Sequence, residues 1–518
     1  MQINALSKLP IVMIQQSDVE SLKTFVASDP ALSFIRPQSI QSADECILFM
    51  VACGDDRSLV VMMDEACESG RLFNELEGIA VNVRNGIAAK ICGLSVANSR
   101  VIMEFIPSAR PISLRQFRTT MGLGDRLGLA SPGHIRAVRG LDVKPVLAQQ
   151  SIRELQLTGR TFEGVLSDAV WGVFSENYRG GFGADGDHLK TIDEVQTALD
   201  AGYTMITLDC SMHIRDTSGC SNDVVDRMYS EIDEKKRKHL ERVFLTNAFR
   251  LPTGLPLKFT HDTLMRCAVT YQSAVDFAAQ VFKQMIAPLD HEVDFELSID
   301  ETSMPTDPLA HFFVAHQLVE AGVDLFSVAP RFCGEFQKAI DYIGDIERFH
   351  REFCEHQQIA EHFGYKLSIH SGSDKFSVYP IIGEETDLRV HVKTSGTNWL
   401  EAVAVIIEAD PRLYREMHAF ALDYLPEARK YYAVTLDAER IPSLDELDDD
   451  ELSSLIHQND ARQMMHIAYG GILQSKDERG NYAFRDRIYQ CLRANEGRYC
   501  DRLVQHIGRH LETLGAGK

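Results

Sequence analysis

The chain has 518 residues, more than one hydrophobic core usually supports. Its composition, with 45% hydrophobic and 25% charged residues, is that of a globular protein. A formal net charge of −22, with no Lys/Arg cluster among aromatic residues, argues against nucleic acid as a partner. No apolar run reaches the roughly 18 residues of a membrane span and no signal peptide is recognisable, so we expect a cytoplasmic protein with no membrane partner and with its 11 cysteines reduced.

Residues 1–112 mix helical and strand patterns and are predicted to form an N-terminal α/β accessory domain. Eight short apolar runs follow within residues 113–407, and most of them end in polar or charged residues. In chain order the runs are TTMGLGDRLGL, KPVLAQQS, GGFGADGDHLK, YTMITLDCS, VDFELSIDET, VDLFSVAP, YKLSIHSGSDK and LRVHVKTSG. Eight strands that alternate with helices predict a (β/α)₈ TIM-type barrel. An open doubly wound sheet is the alternative, although no GxGxxG follows a first strand.

Helix signals lie between the runs. In TIDEVQTALDAG, Thr191 is a predicted N-cap and Gly202 a stop, and Asp307–Gly322 shows the same helical spacing. The crossover between the fourth and fifth strands is predicted to hold two helices, near Asp223–Val243 and His261–Met285. Residues 408–518 are predicted to form a helical C-terminal extension, whose acidic run SLDELDDDELSSL we interpret as a solvated face.

The third run closes on Asp187 and His188, at the strand end where barrels carry catalytic groups. Asp187 is a candidate general base and His188 a candidate metal ligand. Adjacent residues on a strand point to opposite faces, so both reach one site only if the strand bends, which Gly183 and Gly186 would allow. The alternative is an Asp that caps the next helix beside a surface His.

Acidic and apolar residues alternate in the fifth run. The apolar face is predicted to carry Phe295, Leu297 and Ile299, and the opposite face Glu296, Ser298 and Asp300. Buried carboxylates need a partner, which a metal, a basic residue or a substrate would supply. Structural hydrogen bonds inside the barrel are the alternative.

Donor-rich loops follow the last two strands. His370 ends the seventh strand ahead of Lys375, and Lys393 lies at the end of the eighth, in loops where barrels often bind anions. We predict that Lys375 and Lys393, together with Asp125 and Arg126 after the first strand, bind the substrate. Ordinary Gly/Ser turns are the alternative.

His188, His370 and Glu335 form a set of two imidazoles and one carboxylate. Such a set suits Zn²⁺, Mn²⁺, Co²⁺ or Ni²⁺ better than Mg²⁺ or Ca²⁺, which prefer oxygen ligands.

Taken together, the strand-end motifs resemble one family. GLGDRLGLASPGH, GFGADGDHLKT, FELSIDET, APRFCGE, LSIHSGSDKFSVYP and VHVKTSGTNWLEAV resemble the tagaturonate/fructuronate epimerases of bacterial hexuronate catabolism, over residues 118–400. The resemblance implies a metal-dependent epimerase that acts on a small sugar acid. It implies Asp187 as proton acceptor, Glu296 as proton donor, and His188, Glu335 and His370 as ligands of a divalent cation.

The two ketouronates differ at a hydroxyl-bearing carbon β to the ketone, whose C–H the carbonyl does not acidify. We therefore expect retro-aldol cleavage and re-addition rather than α-deprotonation. The alternatives are a neutral tagatose/fructose 4-epimerase, a metal-dependent aldolase and a non-catalytic sugar-acid-binding protein. The sequence leaves the oligomeric state open.

Overall fold

An antiparallel sheet forms the N-terminal part of the chain. The structure is a computed structural model that describes residues 6–54, 56–67, 70–84, 86–251, 254 and 256–517. The sheet contains β1 (Gln41–Ala43), β2 (Cys46–Cys53), β3 (Asp56–Asp64), β4 (Gly78–Arg84) and β5 (Ile87–Gly93), in the order β1-β2-β3-β5-β4. Its helices are Ile11–Gln15, Val19–Ser28, Arg71–Glu75 and Val96–Phe105.

Both faces of this sheet are buried. Along β2, Ile47 and Phe49 pack against the N-terminal helices, whereas Leu48 and Met50 join the core that continues into the barrel. Because successive side chains point to opposite faces of a strand, this alternation joins the N-terminal sheet to the rest of the molecule. The predicted N-terminal α/β part is confirmed.

Eight parallel strands close into a barrel in the order β12-β13-β14-β15-β6-β7-β8-β9. They are β6 (Thr119–Leu123), β7 (Val143–Ser151), β8 (Gly183–Leu189), β9 (Met205–Asp209), β12 (Asp294–Ile299), β13 (Ser327–Pro330), β14 (Lys366–Ile369) and β15 (Val390–Thr394). A separate hairpin of β10 (Phe249–Arg250) and β11 (Pro256–Leu257) lies in the long crossover. Each predicted run contains one barrel strand, and the open-sheet alternative is wrong.

Two of the predicted helices form where expected. Helix Ile192–Asp200 follows Thr191, which makes a reciprocal capping box with Glu194, and helix Pro308–Glu320 follows the N-cap Asp307. The other barrel helices are Ser131–Val138, Ile152–Thr158, Phe162–Glu176, Ile346–Phe363 and Tyr379–Glu385.

The crossover departs from the prediction. Its described residues form three α-helices, Asn222–Ser230, Glu234–Phe244 and His261–Val281, and the last of them continues as a π-helix, Phe282–Ile286. The first predicted helix is interrupted because the side chain of Asp233 accepts a hydrogen bond from the Lys236 N–H and so starts a new helix.

The C-terminal part is helical, as predicted, with its own apolar core. Its helices are Thr397–Ala409, Pro411–Ala428, Asn459–Ile467, Tyr469–Gln474, Arg485–Ala494 and Glu496–Leu514. The predicted boundary after residue 407 falls inside the first of these helices. The acidic run forms a 3₁₀ helix, Asp449–Ile456, with exposed carboxylates and buried leucines. Within the described ranges, no helix combines the length and apolarity needed to cross a membrane.

Candidate active site

The strand β8 bends at its C-terminal end, where Gly186 is followed by Asp187 and His188. His188 has φ of +52°, and the pairing of β8 with β9 shifts between Gly186 and Leu189. This bulge turns the strand end, so that Asp187 and His188 both line a cavity of about 340 Å³ at the C-terminal mouth of the barrel. Neighbouring residues that would face opposite ways on a regular strand therefore share one site.

Two histidines and a carboxylate meet in this cavity. One ligand atom from each of His188, Asp300 and His370 lies within 4.8 Å of the other two. The two imidazole rings are edge to face with centroids 4.8 Å apart, and His370 Nδ1 is 3.1 Å from Asp300 Oδ2. The other ring nitrogen, Nε2, is 2.8 Å from Glu296 Oε1. This arrangement holds the ring of His370 between two carboxylates.

A fully buried lysine organises the barrel interior beneath the histidines. Lys393 Nζ donates to Asp185 Oδ2 and Asp187 Oδ1, both at 2.7 Å, and lies 2.9 Å from Glu296 Oε1. Thr207 also contacts this ammonium group. The lysine thereby compensates three carboxylates on two strands, β8 and β12.

Burial and charge move the ionisation of these groups in different directions. Burial raises the pKa of Asp185 to about 7, against the pull of Lys393. Burial also opposes the charge of Asp187, but Lys393 and His188 outweigh it and bring its pKa to about 2. Burial likewise disfavours the imidazolium of His370, yet Asp300 raises its pKa to about 10. The carboxyl group of Asp187 is therefore ionised at neutral pH.

Cationic side chains form another wall of the cavity. Arg126 donates from Nε and Nη2 to Glu154 Oε1, at 3.1 and 3.0 Å, and stacks 3.7 Å from the ring centroid of Tyr469. Arg153 and Lys338 line the same cavity, and residues 431–433 of the C-terminal part complete it. The extension is thus part of the site.

The comparisons with known proteins agree with the motifs. A family model described as UxaE, tagaturonate epimerase, matches residues 36–514. The chain belongs to the tagaturonate epimerase family. The tagaturonate/fructuronate epimerase of Thermotoga maritima is 36% identical over 478 residues, which cover 92% of this chain and 96% of that protein.

Solved structures of the tagaturonate epimerase family extend the match to three dimensions. The native fructuronate-tagaturonate epimerase of Cohnella laeviribosi superposes with a TM-score of 0.90 and 44% identity, over 96% of this chain and 99% of that one. A glycerol complex of the same enzyme superposes with a TM-score of 0.89 at the same identity and coverage.

Several residues predicted for the site do meet in the cavity. They are Arg126, Asp187, His188, Glu335, His370 and Lys393. Glu335, however, is outside the group of close donor atoms, and the carboxylate beside the two histidines is Asp300. Glu335 lies on a loop whose backbone pairs with Ile343 and which leaves its side chain exposed, whereas Asp300 directly follows β12.

The predicted alternation along β12 is confirmed. It places Glu296 inside the barrel and not on the cavity wall, where a proton donor was expected. Phe295 and Leu297 pack in the core, while Glu296 points into the barrel and accepts from Thr207 and Ser327. Glu296 is completely buried and does not line the cavity. It contacts His370 from below rather than a substrate from above.

Two predicted substrate ligands have structural positions instead. Lys375 is completely buried, and its Nζ donates to the carbonyl oxygens of Gln337, Ile340 and Ser373 at 2.6–2.9 Å. The carboxylate of Asp125 accepts from the N–H groups of the loop that follows it, Leu127, Gly128 and Ala130. Neither side chain lines the cavity, because backbone groups saturate both.

Sequence reasoning missed Arg153, Glu154 and Lys338. The first two follow β7 directly, in SIRE, so the rule that located Asp187 would also have located them. Lys338 offers no such signal, since it lies well inside the long loop between β13 and the next helix.

Proposed function

We propose that this protein interconverts D-tagaturonate and D-fructuronate. The observation that carries the proposal is the convergence, in a tagaturonate epimerase family barrel, of an ionised base, Asp187, with the group His188, Asp300 and His370 in one cavity. The family's curated and solved relatives carry tagaturonate/fructuronate epimerase names. A sugar acid of six carbons is the substrate class that such a polar cavity suits.

The donor set fits a divalent transition metal. Two imidazoles and one carboxylate match the ligand chemistry of Zn²⁺, Mn²⁺, Co²⁺ or Ni²⁺, and three protein ligands leave open positions for substrate. The buried Nδ1 atom of His188 lies 3.4 Å from Asp209 Oδ2, so a carboxylate stands behind this imidazole as well. Glu296, hydrogen bonded to His370 Nε2, supplies the outer carboxylate that commonly orients a ligating imidazole. A metal held by His188, Asp300 and His370 would stabilise negative charge on the ketone oxygen.

Asp187 begins the reaction as the general base. Its carboxylate accepts the proton of the hydroxyl group β to the ketone, while Lys393 holds the carboxylate in place. The bond between that carbon and the α-carbon then breaks. Its electron pair passes to the ketone oxygen, which gives an enediolate and an aldehyde.

Re-addition completes the epimerisation. After the aldehyde turns, the α-carbon attacks its other face, and the new alkoxide needs a proton from a group other than Asp187. The remaining carboxyl groups of the cavity wall are Glu154, Asp300, Glu301 and Glu335. Glu154 pairs with Arg126, Glu301 pairs with Lys190, and Asp300 lies beside the histidines. We therefore propose that Glu335, which is exposed, returns the proton, and that proton exchange with solvent then deprotonates Asp187 and reprotonates Glu335.

The experiment that tests the proposal is metal reconstitution with product analysis. The protein is stripped with a chelator, reloaded with Mn²⁺, Zn²⁺, Co²⁺ or Ni²⁺ separately, and supplied with D-tagaturonate while NMR follows the products. We expect metal-dependent D-fructuronate that His188→Ala and His370→Ala abolish. His350→Ala, which alters an exposed histidine paired with Glu385, is the matched control and should retain full turnover.

Other products would identify the rival activities. Release of three-carbon products alone would make the enzyme an aldolase. Conversion of tagatose to fructose without turnover of tagaturonate would make it a neutral ketohexose epimerase. Inertness towards all of these substrates with every metal would refute the proposed function.

A further inference from the structure

The cations of the cavity wall are not equally compensated. The lining cations are Arg126, Arg153, Arg331, Lys338 and Lys393. Arg126 is paired with Glu154 and Lys393 with the carboxylates below it, while Arg331 donates to the carbonyl oxygen of Thr302. Within the described ranges, three of these cations, Arg153, Arg331 and Lys338, have no carboxylate within ion-pair distance. The wall therefore carries cations without a direct ion-pair partner next to the reacting groups.

Two of these side chains, Arg153 and Lys338, are held in place by contacts with other parts of the chain. The guanidinium of Arg153 lies 4.8 Å from the ring centroid of Tyr432 and is 3.4 Å from the carbonyl oxygen of Tyr431. Lys338 Nζ donates to Ser371 Oγ at 3.0 Å, and Ser371 directly follows His370. Arg153, on the helix Ile152–Thr158 after β7, is thus positioned by the C-terminal extension, and Lys338, on the loop after β13, by the loop after β14.

An unused donor accompanies this charge. The Nε–H of Arg153 is buried, and no acceptor within the described part of the chain pairs with it. A buried donor without a partner costs about 1–3 kcal/mol, so its retention at a cavity wall indicates a ligand that accepts there. A guanidinium, an ammonium and a serine hydroxyl together favour a carboxylate.

We infer that Arg153 and Lys338 form a carboxylate clamp that retains the aldehyde fragment during epimerisation. The inference rests on the proposed function. Cleavage between the α- and β-carbons divides a ketouronate into a three-carbon enediolate, which keeps the ketone oxygen, and a three-carbon aldehyde, which keeps the carboxylate. Only the aldehyde fragment has to turn before the bond forms again. An anchor at its carboxylate permits rotation about the bond next to the aldehyde carbon and prevents diffusion.

The clamp separates epimerase from aldolase chemistry on one set of catalytic groups. Both reactions begin with the same proton transfer to Asp187 and the same bond cleavage. They differ in whether the aldehyde leaves before it re-adds. Loss of the clamp should therefore raise the proportion of cleavage, with dihydroxyacetone as the product of the protonated enediolate.

Glycerate is a stable probe of the clamp, because it is the reduced form of the aldehyde fragment. Glycerol, which has a hydroxymethyl group in place of the carboxylate, is the uncharged control. Calorimetry of the metal-loaded protein should show that Lys338→Met and Arg153→Met each weaken glycerate binding about 10–100-fold, the loss expected for one charged hydrogen bond. Neither should change glycerol binding. Lys338→Arg, which keeps the charge, should bind glycerate within a few-fold of the unsubstituted protein.

Product analysis with D-tagaturonate completes the test. The ratio of dihydroxyacetone released to D-fructuronate formed should rise at least tenfold in Lys338→Met and Arg153→Met. Lys236→Met, which removes an exposed lysine paired with Asp276, is the control and should leave the ratio unchanged. The clamp would be overturned if both variants bound glycerate as tightly as the unsubstituted protein and gave the same product ratio. Glycerate binding that needs both cations, in a protein inert towards tagaturonate, would support the carboxylate site and refute the proposed function.

Discussion

At the scale of single residues, the position of Glu296 decides what it does. Its carboxylate contacts His370 Nε2 and Lys393 Nζ, and its side chain does not line the cavity. A residue in this position sets the orientation of an imidazole and the charge around it. Glu335, in contrast, faces the cavity and forms no ion pair within the described ranges.

Glu296→Gln and Glu335→Gln should therefore fail in different ways. Removal of an outer carboxylate typically lowers metal affinity about 10–100-fold, so Glu296→Gln should regain activity as the metal concentration rises. Glu335→Gln should lower kcat at every metal concentration and leave metal affinity unchanged. A metal titration of turnover distinguishes the two. If excess metal did not restore Glu296→Gln, the proton-donor role predicted from the family resemblance would be favoured instead.

At the scale of elements, the loops after β13 and β14 act as one unit. Lys375 donates to carbonyl oxygens on both loops, and Asp374 Oδ2 accepts from Arg462 Nη2 of the C-terminal extension at 2.8 Å. The loop after β13 carries Lys338, and the loop after β14 begins with His370. Burial lowers the pKa of Lys375 to about 7, although Asp374 opposes this effect.

Lys375→Met should consequently lower the stability of the fold and should not selectively weaken the binding of a carboxylate ligand. Three buried carbonyl groups would lose their donor, at a cost of about 2–4 kcal/mol in the free energy of unfolding. Glycerate and glycerol binding should weaken together, because both loops shift. Urea denaturation and calorimetry check this result, with Lys236→Met as the control. Selective loss of glycerate binding at unchanged stability would restore the substrate-binding role predicted from the sequence.

At the scale of the whole molecule, three parts of the chain share one structure. A single apolar core contains residues of the N-terminal sheet, the barrel and the last helix, including Leu48, Leu208 and Leu511. Glu496 adds a polar link, because its carboxylate pairs with Arg36 and Arg57 of the N-terminal part. Burial raises the pKa of Glu496, but the two arginines outweigh this effect and hold it below the usual range.

The sign of this pKa shift predicts how stability depends on pH. A carboxyl group whose pKa is lower in the folded protein stabilises the fold above its unfolded pKa of about 4.3, and this contribution disappears as the pH falls through the lowered value. Glu496→Gln should cost about 1–3 kcal/mol in unfolding free energy at pH 7 and progressively less below pH 4. Urea denaturation at both pH values measures this difference, and Glu427→Gln, at an exposed ion pair, is the control. An equal loss at both pH values would contradict the electrostatic account.

The sequence by itself predicted the barrel and several of the charged residues and histidines that meet in its cavity. Short apolar runs that end in polar residues indicate parallel strands, and the C-terminal ends of such strands converge in a barrel. That rule alone places Asp187, His188, Asp300, His370 and Lys393 at one end of the molecule. It does not assign partners, because strand position determines where a side chain starts and not which atoms it meets.

Only the tertiary structure decided those partners. It placed Asp300 rather than Glu335 beside the histidines, enclosed Lys375 among backbone carbonyl groups, and brought Arg153 and Lys338 to one wall of the cavity. Each of these outcomes depends on loop paths and on contacts between distant segments. Local periodicity carries no information about such contacts. The hydrogen bonds and ion pairs form only when folding brings distant segments of the chain together.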